Sequence, residues 1–145
     1  MTENKIVLAS DHAGFDYKQE LLTFLKNKGY LVLDFGTTSK DSVDYPLFAK
    51  DVCEHLKNFP KDKGILLCGT GLGMSMAANR YTHIRAAVCH TEYEALSARS
   101  HNNANVLCIG TRVLGIGQTL AVLNAFLHTS FEGGRHQRRL EQFCL

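Results

Sequence analysis

Short, continuous apolar runs recur along the chain, separated by longer segments in which the apolar residues have a helical spacing. Each run is too short for a helix and lacks the alternation of polar and apolar residues that marks a strand with one face in water. A run of this kind predicts a strand buried on both faces, as in a parallel sheet covered by helices. Five strands are predicted, over residues 6–9, 30–35, 64–68, 86–89 and 106–109.

The segments between these runs predict helices whose ends are marked by capping residues. Gly29 closes the first helical stripe, at the position where a C-terminal cap belongs. Asp44, followed by Tyr45 and Pro46, predicts the N-cap and first turn of a second helix that ends near residues 58–60. Further helices are predicted over about residues 74–79, 92–100 and 114–128.

Strands and helices alternate along the chain without a linker or an internal repeat. This alternation predicts an α/β fold: a three-layer, doubly wound, Rossmann-like parallel sheet of about five strands. We expect residues 1–145 to form a single domain. Its last part, residues 132–140, becomes basic around Gly133 and Gly134 and is predicted to be a short helical tail.

Composition and charge narrow the class of protein. With 145 residues, 45% of them hydrophobic and 21% charged, the chain has the composition of an ordinary globular protein. Its 16 basic and 14 acidic residues give a net charge of +2, so we expect no nucleic acid and no membrane surface as a partner. The start of the sequence has neither the apolar region of a signal peptide nor a membrane span, which predicts a cytoplasmic protein.

The five cysteines are an odd number, and none belongs to a C-x-x-C pair. In a chain without an export signal, this argues against a disulfide framework and against a structural zinc site. Cys53, Cys89, Cys108 and Cys144 are expected to be small buried apolar residues. Cys68 differs because it ends a predicted strand beside a glycine loop, a position that favours a thiolate; an inert buried cysteine is the alternative.

Polar residues at the carboxyl ends of the strands are the first candidates for chemistry, because open α/β sheets bind ligands there. Asp11 and His12 follow the first strand, and Arg112 follows the fifth. The loop of residues 69–73 (Gly-Thr-Gly-Leu-Gly) allows its backbone to approach an anion or an oxyanion; a tight turn without a ligand is the alternative. The loop lacks the Gly-Lys-Ser/Thr ending of a P-loop and has Met74 where a dinucleotide-binding motif has its third glycine, which argues against a nucleotide cofactor.

Basic residues near the end of the chain form a second candidate set. Arg135 and Arg139 are four residues apart, so they share one face of a helical tail, and together with Arg112 they suit a phosphate group; a solvated basic face is the alternative. Of the seven histidines, His12 and His101 are the acid–base candidates by location. Ordinary surface or capping roles are expected for His55, His83, His128 and His136, and the role of His90 stays open.

Five motifs in the same order make the chain closely similar to the ribose-5-phosphate isomerase B family, whose wider membership includes allose-6-phosphate and galactose-6-phosphate isomerases. The resemblance covers nearly the whole chain. It is carried by Ser10-Asp11-His12-Ala13-Gly14, Asp44-Tyr45-Pro46, Cys68-Gly69-Thr70-Gly71-Leu72-Gly73, Ser100-His101-Asn102 with Asn105-Val106-Leu107, and Glu132-Gly133-Gly134-Arg135-His136.

The resemblance implies a metal-independent conversion of an aldose phosphate into a ketose phosphate through a cis-enediolate, with no organic cofactor. It identifies Cys68 as the base that moves the proton between C2 and C1. Some family members use a Glu of the glycine loop as this base, but Met74-Ser75-Met76 contains no Glu. Thr70 would shuttle the hydroxyl proton, and Asp11 with His101 would open the furanose ring. The implied substrate contacts are Asp11, His12, Gly69, Thr70, Gly71, Leu72, Gly73, Asn102, Arg112, Arg135 and Arg139.

The resemblance also implies a homodimer, or a tetramer made of two such dimers, with a pocket for a sugar phosphate between the subunits. The leading hypothesis is an isomerase of ribose 5-phosphate and ribulose 5-phosphate in the non-oxidative pentose phosphate pathway. An isomerase of a six-carbon sugar phosphate is the closest alternative. A non-catalytic nucleotide-binding module on the same fold is an alternative of a different class.

Overall fold

A computed structural model of the protein describes residues 4–143, which contain a five-stranded sheet with the strand order β2-β1-β3-β5-β4. Every neighbouring pair of strands is parallel. The strands are β1 (Ile6–Ser10), β2 (Val32–Asp34), β3 (Lys63–Cys68), β4 (Ala86–Val88) and β5 (Val106–Gly110). The predicted α/β fold with five parallel strands is confirmed, while the assignment of residues 1–145 to one domain stays a prediction.

Six α-helices cover the two faces of the sheet and its end. They are α1 (Phe15–Asn27), α2 (Tyr45–Asn58), α3 (Leu72–Ala78), α4 (Glu92–Ser100), α5 (Ile116–His128) and α6 (Arg135–Leu140), with 3₁₀ turns at His12–Gly14 and Glu141–Phe143. Buried side chains of α1, α4 and α5 pack on one face of the sheet, and those of α2 and α3 pack on the other. The predicted three layers are therefore present. Within residues 4–143, no helix has the length and apolar character that crossing a membrane requires.

The two-sided burial of the strands explains their continuous apolar sequences. Successive residues of a strand point to opposite faces, so Leu8 joins the cluster of Leu21 on α1, whereas Val7 and Ala9 join the cluster of Val52 on α2. All five residues of β1 and of β5 are buried. The edge strands β2 and β4 are only partly buried, and each has three residues.

The predicted ends of several elements were wrong by one to three residues. The strand over 30–35 was too long, because the Tyr30 N–H bonds to the Leu25 carbonyl and so belongs to the turn that closes α1. The strand over 86–89 was one residue too long. Helix α3 begins at Leu72, before residue 74, and α5 begins at Ile116, because the turn after β5 includes Leu114, whose N–H bonds to the Gly110 carbonyl.

The predicted helix caps are confirmed in position. Gly29 has φ of +85°, the left-handed conformation expected after α1. Asp44 is the N-cap of α2, and Pro46 lies in the first turn, although the Asp44 side chain makes no capping hydrogen bond. At α4, Thr91 and Glu94 form a capping box, so these polar residues after β4 have a structural role.

The parallel sheet has two distinct edges, and the topology assigns each loop to one of them. The carboxyl edge carries the turns that follow β1, β3 and β5. Helix α4 runs back from this edge, so its end lies at the amino edge, where the Asn105 N–H bonds to the Arg85 carbonyl and the Gly64 N–H bonds to the Asn105 carbonyl. With five residues in β5 and about 3.3 Å of rise per residue, the two edges are on the order of 15 Å apart.

Candidate active site

One group of predicted site residues lies together at the carboxyl edge, between β1 and β3. The chain leaves β1 for α1 on one face and leaves β3 for α3 on the other, which opens the crevice where doubly wound sheets bind ligands. We name this set the carboxyl-edge group; it consists of Asp11, His12, residues 68–73 and Arg112.

Asp11 and His12 are held in place by backbone amides. The Asp11 side chain is buried, and its Oδ1 accepts hydrogen bonds from the amides of Ala13 (3.0 Å) and Gly14 (3.2 Å). His12 Nδ1 accepts from the Val43 N–H at 3.2 Å. This bond favours the tautomer that carries its proton on Nε2, which leaves that N–H available as a donor.

Cys68 ends β3, and the glycine loop turns back over its thiol. Sγ of Cys68 accepts a hydrogen bond from the Gly71 N–H at 3.1 Å, and Gly71 adopts φ of +78°, a conformation that favours glycine. The loop also lies against the end of β5, where a Cβ on Gly110 would be 2.5 Å from the carbonyl carbon of Thr70. The loop therefore keeps this shape only with glycine at both positions.

The loop presents unused hydrogen-bond donors. The Gly71 amide bonds to Cys68, and the Leu72 amide bonds to Thr70 Oγ1 at 3.2 Å. The amides of Gly69, Thr70 and Gly73 have no hydrogen-bond partner among residues 4–143. Because the Thr70 oxygen accepts from the backbone, its hydroxyl proton is free for another acceptor. The loop can thus donate several hydrogen bonds to a ligand oxygen.

Two side chains border the loop. A Cβ on Gly69 would be 3.2 Å from Nη1 of Arg112, so this guanidinium lies over the start of the loop. A Cβ on Gly73 would be 2.6 Å from Cζ of Tyr45, so the phenol ring packs against the other end. Arg112 adds positive charge to the crevice, and Tyr45 contributes to one of its walls.

The surroundings of the cysteines differ in how well they would stabilise a thiolate. Burial raises the pKa of Cys53 and of Cys89 to about 12, and it raises the pKa of the fully buried Cys108 well above its usual value. The negative charge of Glu54 raises the pKa of Cys53 further, and that of Glu94 raises the pKa of Cys89 further. Of these cysteines, only Cys68 accepts a hydrogen bond from a backbone amide. Cys53, Cys89 and Cys108 are buried, as predicted; Cys144 lies outside the described residues.

Alkylation of the native protein is expected to label Cys68 at least about tenfold faster than Cys53, Cys89 or Cys108. Iodoacetamide reacts with thiolates, and at pH 8 a thiol with a pKa of about 12 is ionised in on the order of one molecule in 10⁴. Peptide mass spectrometry after timed quenching measures each site separately. In denaturant the four rates should become similar, and equal rates in the native protein would contradict this contrast.

A second group of predicted residues lies at the amino edge. It surrounds a cavity of about 380 Å³ lined by His101, Asn102, His136, Arg139, Leu140 and Phe143. His101 is the C-cap of α4, and its ring stacks on that of His136 with centroids 4.4 Å apart and planes 12° apart. We name the set of His101, Asn102, Arg135, His136 and Arg139 the amino-edge group.

Backbone contacts hold the amino-edge group between α4 and the tail. Arg99 is buried, and its Nη1 donates to the Ala104 carbonyl at 2.6 Å while its Nε donates to the Thr129 carbonyl at 3.3 Å. The Glu132 N–H bonds to the Ser100 carbonyl at 3.0 Å. The basic tail therefore docks on the end of α4 instead of extending into solvent.

One chain does not bring all of the predicted site residues together. Cys68 and Asp11 lie at the carboxyl edge, and His101 lies at the amino edge. The expected arginine fork is divided in the same way, because Arg112 lies over the glycine loop while Arg139 lines the cavity at His101 and Arg135 begins α6. The two groups can meet only if the edges come from different copies of the chain.

The histidines with expected ordinary roles all make contacts within the chain. His55 pairs with Asp62, His83 contacts the Cys53 carbonyl, and His128 contacts the Asn124 carbonyl. His136 instead stacks on His101, and its Nε2 lies 3.4 Å from the Glu132 carboxylate. In the sequence, the pattern that could have indicated this contact is the spacing of Glu132 and His136, which are four residues apart across two glycines.

Comparison with known proteins gives consistent results. The family model described as ribose/galactose isomerase matches residues 6–143. Ribose-5-phosphate isomerase B of Escherichia coli K12 is 44% identical over 137 residues, covering 94% of this chain and 92% of that protein.

Solved structures are similar over almost their entire length. The ribose 5-phosphate isomerase of Thermotoga maritima has a TM-score of 0.94 at 49% identity, with 98% of each chain covered. Ribose-5-phosphate isomerase B of Mycoplasma genitalium, solved with bound ribulose-5-phosphate, has a TM-score of 0.93 at 42% identity, covering 98% of this chain and 95% of that one.

Proposed function

The chain belongs to the ribose/galactose isomerase family and is an isomerase, and from this premise we propose that it interconverts D-ribose 5-phosphate and D-ribulose 5-phosphate. The observation that carries the proposal is the Cys68 thiol, which receives an amide hydrogen bond inside a loop with free donors. Relatives named for this activity, one of them solved with ribulose-5-phosphate, support the choice of substrate.

The proposed chemistry is a proton transfer between neighbouring carbons. The Cys68 thiolate removes the proton from C2 of the open-chain aldose, and the electron pair forms the cis-enediolate. The free amides of the glycine loop donate to the enediolate oxygens, which carry the negative charge that develops in this step. Thr70 moves the proton between O1 and O2, and the Cys68 thiol returns its proton to C1 to complete the ketose. No step uses an oxidant or an organic cofactor.

Ring opening requires an acid and a base on the furanose, and we assign these to His101 and Asp11. Asp11 is oriented by two amides at the carboxyl edge, and His101 is oriented by its stack on His136 at the amino edge. Because these edges are on the order of 15 Å apart in one chain, the acid in each pocket has to come from a second copy. The proposed protein is therefore a homodimer with two equivalent pockets, each made of one edge from each copy.

Exposed apolar side chains beside the carboxyl-edge group support its coverage by a second copy. Leu72 and Met76 lie one turn apart on α3 and are 50% and 68% exposed, and Leu47 on α2 is 62% exposed. Apolar side chains of this size, close to a candidate site, favour a protein partner over water. In the dimer, Arg112 of one copy and Arg135 with Arg139 of the other hold the phosphate, while His12 and Asn102 contact the sugar.

The direct test is NMR of the purified protein with ribose 5-phosphate in D₂O, with a chelator present. We expect ribulose 5-phosphate to form with solvent deuterium at C1, and the reverse reaction should place deuterium at C2 of ribose 5-phosphate. Allose 6-phosphate and galactose 6-phosphate are assayed in parallel. Conversion of a hexose phosphate without the pentose would overturn the substrate, and failure on all three sugars would overturn the proposed activity.

A further inference from the structure

His101, His136 and Glu132 bring three metal-ligating groups to one place at the amino edge. One nitrogen or oxygen atom from each side chain lies within 4.8 Å of the other two, and within residues 4–143 this is the one such cluster of three or more. We propose that these three residues, the His–Glu–His cluster, bind a divalent transition-metal ion of the zinc class, and that the bound ion inhibits the enzyme. Two imidazoles and a carboxylate are a donor set that Zn²⁺ accepts in proteins, with its remaining position open.

The cluster is organised by the backbone before any ion binds. The amide of Glu132 is tied to the end of α4 through the Ser100 carbonyl, and the His136 amide bonds to the Gly133 carbonyl at 3.0 Å. Gly133 and Gly134 have φ of +69° and +56°, and this turn brings Glu132 and His136 to the same side. Folding alone therefore brings the backbone positions of the ligands together, which lowers the entropy cost of assembling the site.

One of the three ligand spacings already suits a zinc ion. Bonds of about 2.0–2.1 Å in tetrahedral geometry place ligand atoms about 3.4 Å apart. His136 Nε2 and Glu132 Oε2 are already 3.4 Å apart. The side chain of His136 is 10% exposed and that of Glu132 is 59% exposed, so the carboxylate can rotate toward an ion that the buried imidazole fixes. His101, which is half-buried, completes the site when its ring turns out of the parallel stack on His136, because two stacked rings cannot both direct a nitrogen at one ion.

Charge sets the expected strength of binding. Arg139 lines the same cavity and Arg135 lies at the start of α6, and both oppose a cation. We therefore expect a dissociation constant on the order of 1–10 µM rather than the nanomolar values of structural zinc sites. An ion on His101 occupies the ring nitrogen that has to carry the acidic proton in the proposed ring opening, so it should compete with the sugar phosphate. This inhibitory consequence rests on the proposed function; the binding of the ion does not.

The test is calorimetric titration of the full-length protein with ZnCl₂ in a phosphate-free buffer after chelator treatment. We expect one ion per chain in the unmodified protein, and binding at least about tenfold weaker in Glu132→Gln and in His136→Gln. His128→Gln, which changes an exposed histidine on α5, is the matched control and should bind like the unmodified protein. Cys68→Ala tests whether zinc binds to the thiol, and it should leave the affinity unchanged.

Each result decides the proposal. Absence of binding at 100 µM, about ten times the weakest expected constant, would overturn it, as would equal affinity in Glu132→Gln and the unmodified protein. A loss confined to Cys68→Ala would assign the ion to the thiol and would also overturn it. Because His136 is buried, Glu132→Gln serves as the deciding variant if His136→Gln does not fold. In the isomerase assay, inhibition of Glu132→Gln should need at least about tenfold more zinc than inhibition of the unmodified protein, and a chelator should reverse it. Absence of isomerisation in all of these proteins would count against the proposed function alone, because the binding of the ion is measured separately.

Discussion

Replacing Cys68 by alanine is expected to lower kcat for ribose 5-phosphate by about 10²–10⁴-fold, the usual contribution of a positioned general base. The change removes the atom that accepts the C2 proton and leaves the loop amides, Thr70 and the arginines in place. KM should therefore change little, and the thermal midpoint should stay close to that of the unmodified protein. The measurement is steady-state kinetics beside thermal unfolding of the same preparation.

Cys89→Ala is the matched control for Cys68→Ala. It removes another buried thiol, whose pKa burial raises to about 12 and which packs in the core on the opposite face of the sheet from Cys68. We expect its kcat to remain within about twofold of the unmodified value. A Cys68→Ala enzyme with full turnover would show that another group accepts the proton, and a comparable loss in Cys89→Ala would show that cavity formation explains the effect.

Mixed dimers of two inactive variants are expected to recover about half of the activity of the unmodified dimer. One chain carries Cys68→Ala, which disables its carboxyl edge. The other chain carries His101→Asn, which disables its amino edge. When the two variants are co-expressed with different tags and the mixed dimer is purified, one pocket combines both damaged edges and the other combines both intact edges. The second pocket carries the recovered activity.

The reverse arrangement is the control for this experiment. A chain with both Cys68→Ala and His101→Asn, paired with an unmodified chain, contains the same two substitutions but damages one edge of each pocket. This dimer should be almost inactive. If each pocket lay within one chain, the two results would exchange: the first mixed dimer would be inactive, and the second would retain about half of the activity.

The fold was predictable wherever burial is complete. The strands at the centre of the sheet are apolar on both faces, so residues 6–9, 64–68 and 106–109 are recognisable from the sequence alone. The edge strands β2 and β4 are only partly buried, so this contrast is weaker there, and both were predicted too long. Gly29 was informative because a left-handed residue after a helix is expensive for any other side chain.

The position of the carboxyl-edge group was predictable because it depends on strand order. Asp11, Cys68 and Arg112 follow strands, and parallel strands bring their carboxyl ends to one edge by geometry. His101 follows a helix, so the same geometry places it at the opposite edge. The motif resemblance does not indicate this separation, because it gives the order of the motifs along the chain and not their positions in one subunit. The contact of His136 with His101 depends on how the tail docks on α4 through Arg99 and Glu132, a long-range contact that no local pattern encodes.

Because Cys68 and His101 lie at opposite edges, the activity of the proposed enzyme should depend on protein concentration. Complete pockets then exist in proportion to dimers and not to folded chains. Dilution below the dimer dissociation constant would lower the turnover per chain while the α/β fold of each copy persists, and activity would return at a rate that is second order in protein. The cellular abundance of the chain would thus set the catalytic capacity of each molecule as well as the number of molecules.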